Sequence, residues 1–323
     1  MVRPLWQNWA LSLYNKIFGK FPGTGSSETA GKSWAEFFIE SVIRVFGFST
    51  IGFVLLIFLF LLKEGLPALW EVAPGNLFGT RWYPTFNMFG TLPLILGSAY
   101  VTIAAIVIAL PLGVTTAVFV REVAPQWARE ILKPLIEVLA GIPSVVLGFF
   151  GMHVIAPMLR SALGVPTGLS AFTGAVILAY MSLPTIISVA EDALDSVPKS
   201  YRDAALAMGA TRWQTIWRVT VPAARSGVAM AVMLGMGRAI GETMAVMMVT
   251  GNAARMPLSA GSLFMPVRTM TATVAAEMGE VANGSVHYHT LFGIGIILFI
   301  LTFMINILAA SAIFKKQRKG GLR

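Results

Sequence analysis

Six stretches of this chain are apolar over about the 20 residues that a helix needs to cross a bilayer core. They lie at roughly 38–62, 91–120, 132–159, 170–190, 223–250 and 289–314. Lipid offers no water to bond backbone N–H and C=O groups, so each stretch is expected to bond them internally, as a helix. Only 12% of the residues are charged and the mean hydropathy is +0.75, whereas a soluble domain carries about 25% charge. The expected fold class is an all-α polytopic membrane protein with six transmembrane helices. The third stretch holds Pro134, Gly141, Pro143, Gly148 and Gly151, which makes its boundaries the least defined. A discontinuity at Pro143 would suit it to lining a substrate path, as broken helices often do.

The net charge of +9 would suit nucleic acid, but its placement makes it a topology signal. Arg3, Lys16, Lys20 and Lys32 precede the first span, and Arg121, Arg129 and Lys133 follow the second. Lys199, Arg202, Arg212, Arg218 and Arg225 follow the fourth, and Lys315, Lys316, Arg318, Lys319 and Arg323 close the chain. The alternate loops hold Lys63, Arg81, Arg160, Arg255 and Arg268. Positive residues are retained in the cytoplasm, so both termini are expected there. The organisation is then a cytoplasmic tail (1–34), the first span with an outer loop (35–90), a core of five spans (91–314) containing a polar loop at 191–222, and a basic tail (315–323). No cleavable signal peptide is evident. The N-terminal tail has Trp6, Trp9, Leu13 and Phe18 for an interfacial helix and a Gly/Ser/Thr-rich tether over 21–32. Gly31-Lys32-Ser33 imitates the end of a phosphate-binding loop, but the Gly required five residues earlier is Ser26. With no cysteine in the chain, disulfides, thiol nucleophiles and cysteine metal sites are excluded.

The polar loop has a distinctive frame: Asp203-Ala204-Ala205, three residues, Gly209, nine residues, then Val219-Thr220-Val221-Pro222. Ala204 to Met208 are good helix formers, and Gly209 suits a C-terminal cap. Trp213, Ile216, Trp217 and Val219 alternate with Arg212, Gln214 and Arg218 in a run suited to the membrane interface. Pro222 is expected to open the next span, where its missing N–H costs nothing. This frame resembles the EAA loop of ABC importer permeases, with Asp203 in place of the usual Glu. The resemblance implies a coupling helix, carried by Asp203, Ala204, Ala205, Gly209, Arg212 and Pro222, that docks on a separate ATPase subunit. An ordinary inter-span loop is the plainer alternative.

The fifth stretch carries Arg238 and Glu242 within Gly235-Met236-Gly237-Arg238-Ala239-Ile240-Gly241-Glu242-Thr243. Arg238 lies roughly 24 Å beyond Pro222 along a helix rising 1.5 Å per residue, near the midplane, where an Arg costs on the order of 3 kcal/mol. At helical spacing Glu242 falls on the same face, and the two would form either a self-neutralising pair or a substrate contact. Gly237 and Gly241 present small residues for another helix to approach. A guanidinium matches a tetrahedral oxyanion. A carboxylate beside it would accept a hydrogen bond from protonated phosphate and repel sulfate.

The run from Gly237 to Val246, together with Leu139-Ala140-Gly141-Ile142-Pro143-Ser144-Val145-Val146-Leu147-Gly148, resembles the permeases of the phosphate (Pst) ABC importer. The continuation to Gly251-Asn252 and Thr271-Ala272-Thr273-Val274-Ala275-Ala276-Glu277 is most like the C-type subunit. The resemblance implies a type I ABC importer permease in the bacterial inner membrane, with Arg238 and Glu242 in the translocation path. It also implies a homologous second permease, two ATPase subunits holding ATP and Mg, and an extracytoplasmic phosphate-binding protein. The chain itself would be a transport subunit that holds no cofactor and catalyses nothing. Glu137, Pro143 and Ser144 are candidates for an inner gate, Glu137 also for pairing with a coupling-loop arginine. His153, His287 and His289 lie toward the outer side, and no carboxylate at ligand spacing makes a metal site of them. Trp70, Arg81, Trp82 and Tyr83, with the loop of roughly 251–288, are candidates either to receive a binding protein or to anchor at the interface. Two alternatives stay open: a permease for molybdate or sulfate, and a non-transporting scaffold or phosphate-signalling subunit.

Overall fold

The computed structural model describes residues 34–320. The N-terminal tail, with its expected interfacial helix, tether and Gly31-Lys32-Ser33, lies outside the described residues, as do residues 321–323. The chain divides after Leu55 into two units. The first is the opening part of helix α1 (Trp34–Gly65). Phe46, Phe48, Ile51 and Phe53 are exposed on it, and Glu40 and Arg44 form an ion pair one turn apart.

The second unit begins within α1 and continues through α2 (Ala68–Glu71) and α3 (Pro74–Leu77) into a small hairpin. Its strands β1 (Trp82–Tyr83) and β2 (Met88–Phe89) pair antiparallel, Trp82 opposite Phe89. Then come α4 (Leu92–Val118), ending in a π-helical turn over Phe119–Val123, and α5 (Gln126–Ala140). Next, α6 (Ser144–Phe150) runs through a π turn over Gly151–Ile155 into α7 (Ala156–Leu163), followed by α8 (Ala171–Asp195) and α9 (Lys199–Ala207). Helix α10 (Arg212–Thr215) runs through a π turn over Ile216–Thr220 into α11 (Val221–Gly241). Helices α12 (Met244–Val249), α13 (Met270–Glu277) and α14 (Val286–Gly320) complete the order.

Six of the described helical stretches are long and apolar enough to cross a membrane: Phe38–Glu71, Leu92–Val123, Ser144–Leu163, Ala171–Asp195, Arg212–Gly241 and Val286–Ile307. Four match the sequence expectation closely and two correct it. The third span starts at Ser144, not near 132. Pro143 takes an extended ψ of 136°, and a proline disfavours helix in the residue before it, so Gly141-Ile142-Pro143 separates α5 as a helix of its own. The fifth span starts at Arg212 and stops at Gly241, not 223–250. Thr211 and Gln214 close a capping box that starts the helix early, leaving Pro222 inside the span just after the π turn. At the other end Glu242 turns extended, with ψ 131°.

Helix α8 is the most buried of the six spans and the bundle is built around it. Val101, Ala105 and Ala109 of α4 meet Ala171, Ala175, Leu178 and Ala179 of α8 in one apolar cluster, with Ala239 of α11 and Val246 of α12. A second cluster, toward α9, joins Ala117 and Val118 to Ile187, Ala190 and Leu194 and to Ile216, Ala224 and Ala231. The contact between α8 and α11 is made by small residues. A Cβ added at Gly227 would lie 2.3 Å from Ala193 Cβ, and one at Gly235 would lie 2.5 Å from Ile186 Cγ1. Between them Ala231 is fully buried. The glycines that the sequence suggested for helix approach behave differently: among the described residues, nothing beyond their own helix lies within 4 Å of a Cβ at Gly237 or Gly241.

Overpacking a filled seam costs about 1–3 kcal/mol. Gly235→Val is therefore expected to lower the thermal unfolding midpoint of the isolated chain in detergent. Gly237→Ala, with open space and a better helix former, is expected to leave it unchanged or slightly raised.

Candidate functional site

The helical run is broken just before the third span and just after the fifth, and each break frees backbone groups that lipid cannot satisfy. At the first break, α5 ends at Ala140. The Ala140 carbonyl accepts a hydrogen bond from Arg238 Nη2 at 3.4 Å. Arg238 Nη1 also donates to Thr185 Oγ1 of α8 at 3.4 Å. Thr185 is ten residues from the Asp195 end of its span, roughly 15 Å at 1.5 Å per residue, so the guanidinium sits near mid-depth. A cation at a helix C-terminus also complements the helix dipole. At the second break, Glu242 Oε1 accepts from the Ala245 N–H at 3.3 Å, which caps the start of α12. The Glu242 carbonyl accepts from Thr271 Oγ1 of α13 at 3.0 Å. The two half-spans beyond the breaks pack together, since a Cβ at Gly148 of α6 would lie 3.0 Å from Ala245 Cα.

This geometry corrects the expectation that Arg238 and Glu242 share a helical face. The helix stops at Gly241, so Glu242 turns away to serve α12, and no ion pair joins the two among the described residues. Arg238 is exposed on α11 and engages two of its five N–H donors. Pro143 ends the first break, three residues after the carbonyl that Arg238 holds, and Ser144 opens α6. Glu137 is exposed on α5 and pairs with no coupling-loop arginine among the described residues. It lies in a shallow pocket with Val120, Lys133, Ile136, Ile187 and Glu191.

Of the expected 191–222 loop, the part between Asp195 and Arg212 lies outside the spans, and there the residue types fold as suggested. Helix α9 covers Lys199–Ala207 and has no buried residue, and Gly209 follows it in the left-handed region at φ +83°. Asp203 and Ala204 are exposed and Ala205 is half-buried. Met208 and Tyr201 project strongly from the same segment. Arg212 is exposed at the start of α10, and Trp213 packs edge-on against Trp217 one turn later.

Sequence reasoning missed the ion pairs that hold both ends of the bundle. Lys133 Nζ of α5 lies 2.8 Å from Glu191 Oε2 of α8, and Arg121 pairs with Asp195. Arg202 Nη2 lies 2.6 Å from Glu122 Oε1. At the hairpin end Glu277 is a hub. It lies 2.8 Å from Arg268 Nη2 and 2.8 Å from His287 Nε2, and it accepts from Trp82 Nε1 at 3.1 Å. Trp82, Arg268 and Glu277 are thus committed internally, while Trp70 and Tyr83 stay exposed. His289 lies 2.8 Å from Glu71 Oε2, so the fold supplies the carboxylate neighbours that local spacing did not. His153 stacks on Phe149.

Six apolar spans, helix breaks at the start of the third and the end of the fifth with charged side chains beside them, and an exposed helix in a basic loop define the class: a polytopic membrane permease. Residues 109–317 match the family described as binding-protein-dependent transport system inner membrane component, and the chain belongs to that family. It is a multi-pass inner-membrane protein. A probable ABC transporter permease protein YqgH of Bacillus subtilis is 44% identical over 71% of this chain and 74% of its own length. A phosphate transport system permease protein PstC of Mesorhizobium japonicum is 38% identical over 74% and 78%. The PstC of Haemophilus influenzae is 31% identical over 92% and 99%. Among solved structures, a bacterial alginate ABC transporter in complex with an alginate-bound periplasmic protein has a chain with TM-score 0.54 at 17% identity. That match covers 86% of this chain and 96% of that one. The MetNI methionine ABC transporter, inward facing, gives TM-score 0.53 at 18% identity, covering 68% and 92%. These likenesses establish the type I ABC importer permease fold.

The hydrogen bond from Lys133 to Glu191, with the nearby charges of Glu191, Asp192 and Glu137, raises the Lys133 pKa above its usual 10.5. A raised lysine pKa means that the pair's stabilisation is fully present below the usual value and is lost as pH rises through the higher folded value. The thermal stability of the wild type minus that of Lys133→Met is therefore expected to be positive and level from neutral pH to near 10.5. It should shrink toward zero above that, as read by unfolding scans in detergent.

Proposed function

We propose that this chain is one permease half of an ATP-driven inorganic phosphate importer, most like the C-type subunit. The observation that carries the reading is Arg238. It is an exposed guanidinium held at the first helix break, with spare donors and no carboxylate paired to it among the described residues. Anchoring by Ala140 and Thr185 leaves it aimed and partly free, and charge-assisted bonds to an oxyanion are the strong kind. The phosphate transport named for the relatives from Mesorhizobium and Haemophilus supports the substrate class. Glu242, held by Ala245 and Thr271, would favour a protonated oxyanion and tune selectivity. Pro143 and Ser144 would form the gate at the first break, with Glu137 on its approach.

The open stripe of Met230, Leu234, Gly237, Arg238 and Gly241 on α11 would face a homologous second permease across the path. The positive residues support a cytoplasmic location for both termini and α9. There α9, with Asp203, Ala204, Ala205 and Gly209 and the projecting Tyr201 and Met208, would dock on one of two ATPase subunits that hold ATP and Mg. Arg212 and Pro222 would set the start of the span that carries the motion to Arg238. An extracytoplasmic phosphate-binding protein would deliver the anion at the hairpin end. The chain itself binds no cofactor on this reading.

The test is labelled phosphate uptake by cells that lack their own high-affinity importer and carry this permease with its partners. Uptake should resist sulfate and molybdate. Arg238→Ala should lower it at least about tenfold, as loss of a charged hydrogen bond worth about 1.5–3 kcal/mol implies, with the complex still co-purifying. Glu242→Gln should narrow the preference for phosphate over sulfate. Movement of another oxyanion in place of phosphate would sink the substrate assignment. Full uptake by Arg238→Ala would make the arginine a helix cap and no more.

A further inference from the structure

Arg202 stands one residue before Asp203 on α9, yet its guanidinium is turned inward, away from the docking surface. Nη2 donates to Glu122 Oε1 at 2.6 Å and to the Leu194 carbonyl at 2.9 Å. Nη1 donates to the Val197 carbonyl at 3.0 Å. The side chains of Arg202 and Glu122 are 17% and 11% exposed, shielded enough that salt screens the pair little. Helix α9 has no buried residue, so apolar packing does little to fasten it to the bundle.

Glu122 lies in the π turn that ends α4. A π turn holds an extra residue and so rephases the side chains within it. Arg121 and Glu122, adjacent in sequence, reach two different elements: Arg121 pairs with Asp195, the last residue of α8, and Glu122 reaches α9. The end of α4 therefore grips the coupling segment twice. From that end α4 runs along α8, and at Gly113 a Cβ would lie 2.7 Å from Ile186 Cγ2. Ile186 also fills the gap at Gly235 of α11, and Thr185 beside it holds Arg238.

Resting on the function proposed above, we infer that the Arg202–Glu122 pair is the mechanical link that transmits movement of α9 into α4. Arg202 is a positioning residue for transport that touches neither the ATPase nor the anion. Covalent connections carry α9's motion directly to its sequence neighbours, α8 and α10. The span α4 is 76 residues away in sequence at its nearer π-turn end (Val123 to Lys199); it meets α9 directly through this ion pair and indirectly through its packing along α8. Without the pair, the ATPase would cycle while one wall of the path lagged behind.

The experiment uses the complete complex, with second permease, ATPases and binding protein, in proteoliposomes. Anion uptake and ATP hydrolysis are measured together, and assembly is read by co-purification. In Glu122→Gln and Arg202→Gln, hydrolysis should persist while phosphate moved per ATP falls about tenfold, within the range typical of coupling free energies. The double charge swap Glu122→Arg with Arg202→Glu should recover much of the lost ratio, the non-additivity expected of a direct pair. An unchanged ratio in the single variants overturns the inference. So does an equal fall in hydrolysis and uptake that the swap does not repair, because the pair is then merely structural. If a single variant fails to assemble, the swap decides: restored assembly with a restored ratio supports the link, and any other result counts against it. Wild-type liposomes that move a different oxyanion would defeat the phosphate reading and still report the ratio per ATP.

Discussion

The structure turns on the need to satisfy backbone hydrogen bonds where a membrane helix is interrupted. An intact span answers that need by itself. A span broken at mid-depth leaves carbonyls at one stump and amides at the other, each costing several kcal/mol if left bare. Here the freed Ala140 carbonyl is taken by Arg238, the Ala245 amide by Glu242, and the Glu242 carbonyl by Thr271. Arg238 and Thr271 come from elements remote from the groups they bond, while Glu242 serves the helix that follows it, so the breaks hold their shape when α5, α11 and α13 are assembled together. The same bonds aim a guanidinium and fix a carboxylate at mid-depth, which makes the solution to a folding problem also a site.

The charges suit their positions by sign. Arg238 stands at the carbonyl end of α5 and Glu242 at the amide end of α12, where helix dipoles favour a cation and an anion respectively. They are stabilised separately, not by one another. This explains how two charges four residues apart coexist in an apolar span without forming the local pair that their spacing suggests.

Much of the architecture was legible in the sequence because it depends on local signals. Hydropathy located the spans, and the helix formers before Gly209 marked α9. The break at Pro143 was visible because proline acts on its own neighbours. The break at Glu242 was not, because Gly241, Glu242 and Thr243 interrupt an apolar run that reads as continuous. What holds that break open is Thr271, far along the chain. The early start of the fifth span was hidden behind Pro222, which looked like a first-turn proline and instead follows a π turn. The pairs Lys133–Glu191, Arg202–Glu122 and Arg268–Glu277 were invisible for the same reason as Thr271, since no local pattern announces a partner tens of residues away. Of the candidate site, the residue types were legible and their relations were not.

The seam of Gly227, Ala231 and Gly235 against Ala193 and Ile186 has a consequence for how the bundle assembles. Its fit is set by missing side chains, so it recognises position along the helix. Sliding α11 by one turn would bring a methyl of Ala231 or Ala239 to where Ile186 now meets bare backbone. The seam therefore works as a depth key. Two helices inserted into the bilayer one after the other can settle at a single relative height, and that height is what carries Arg238 level with Thr185.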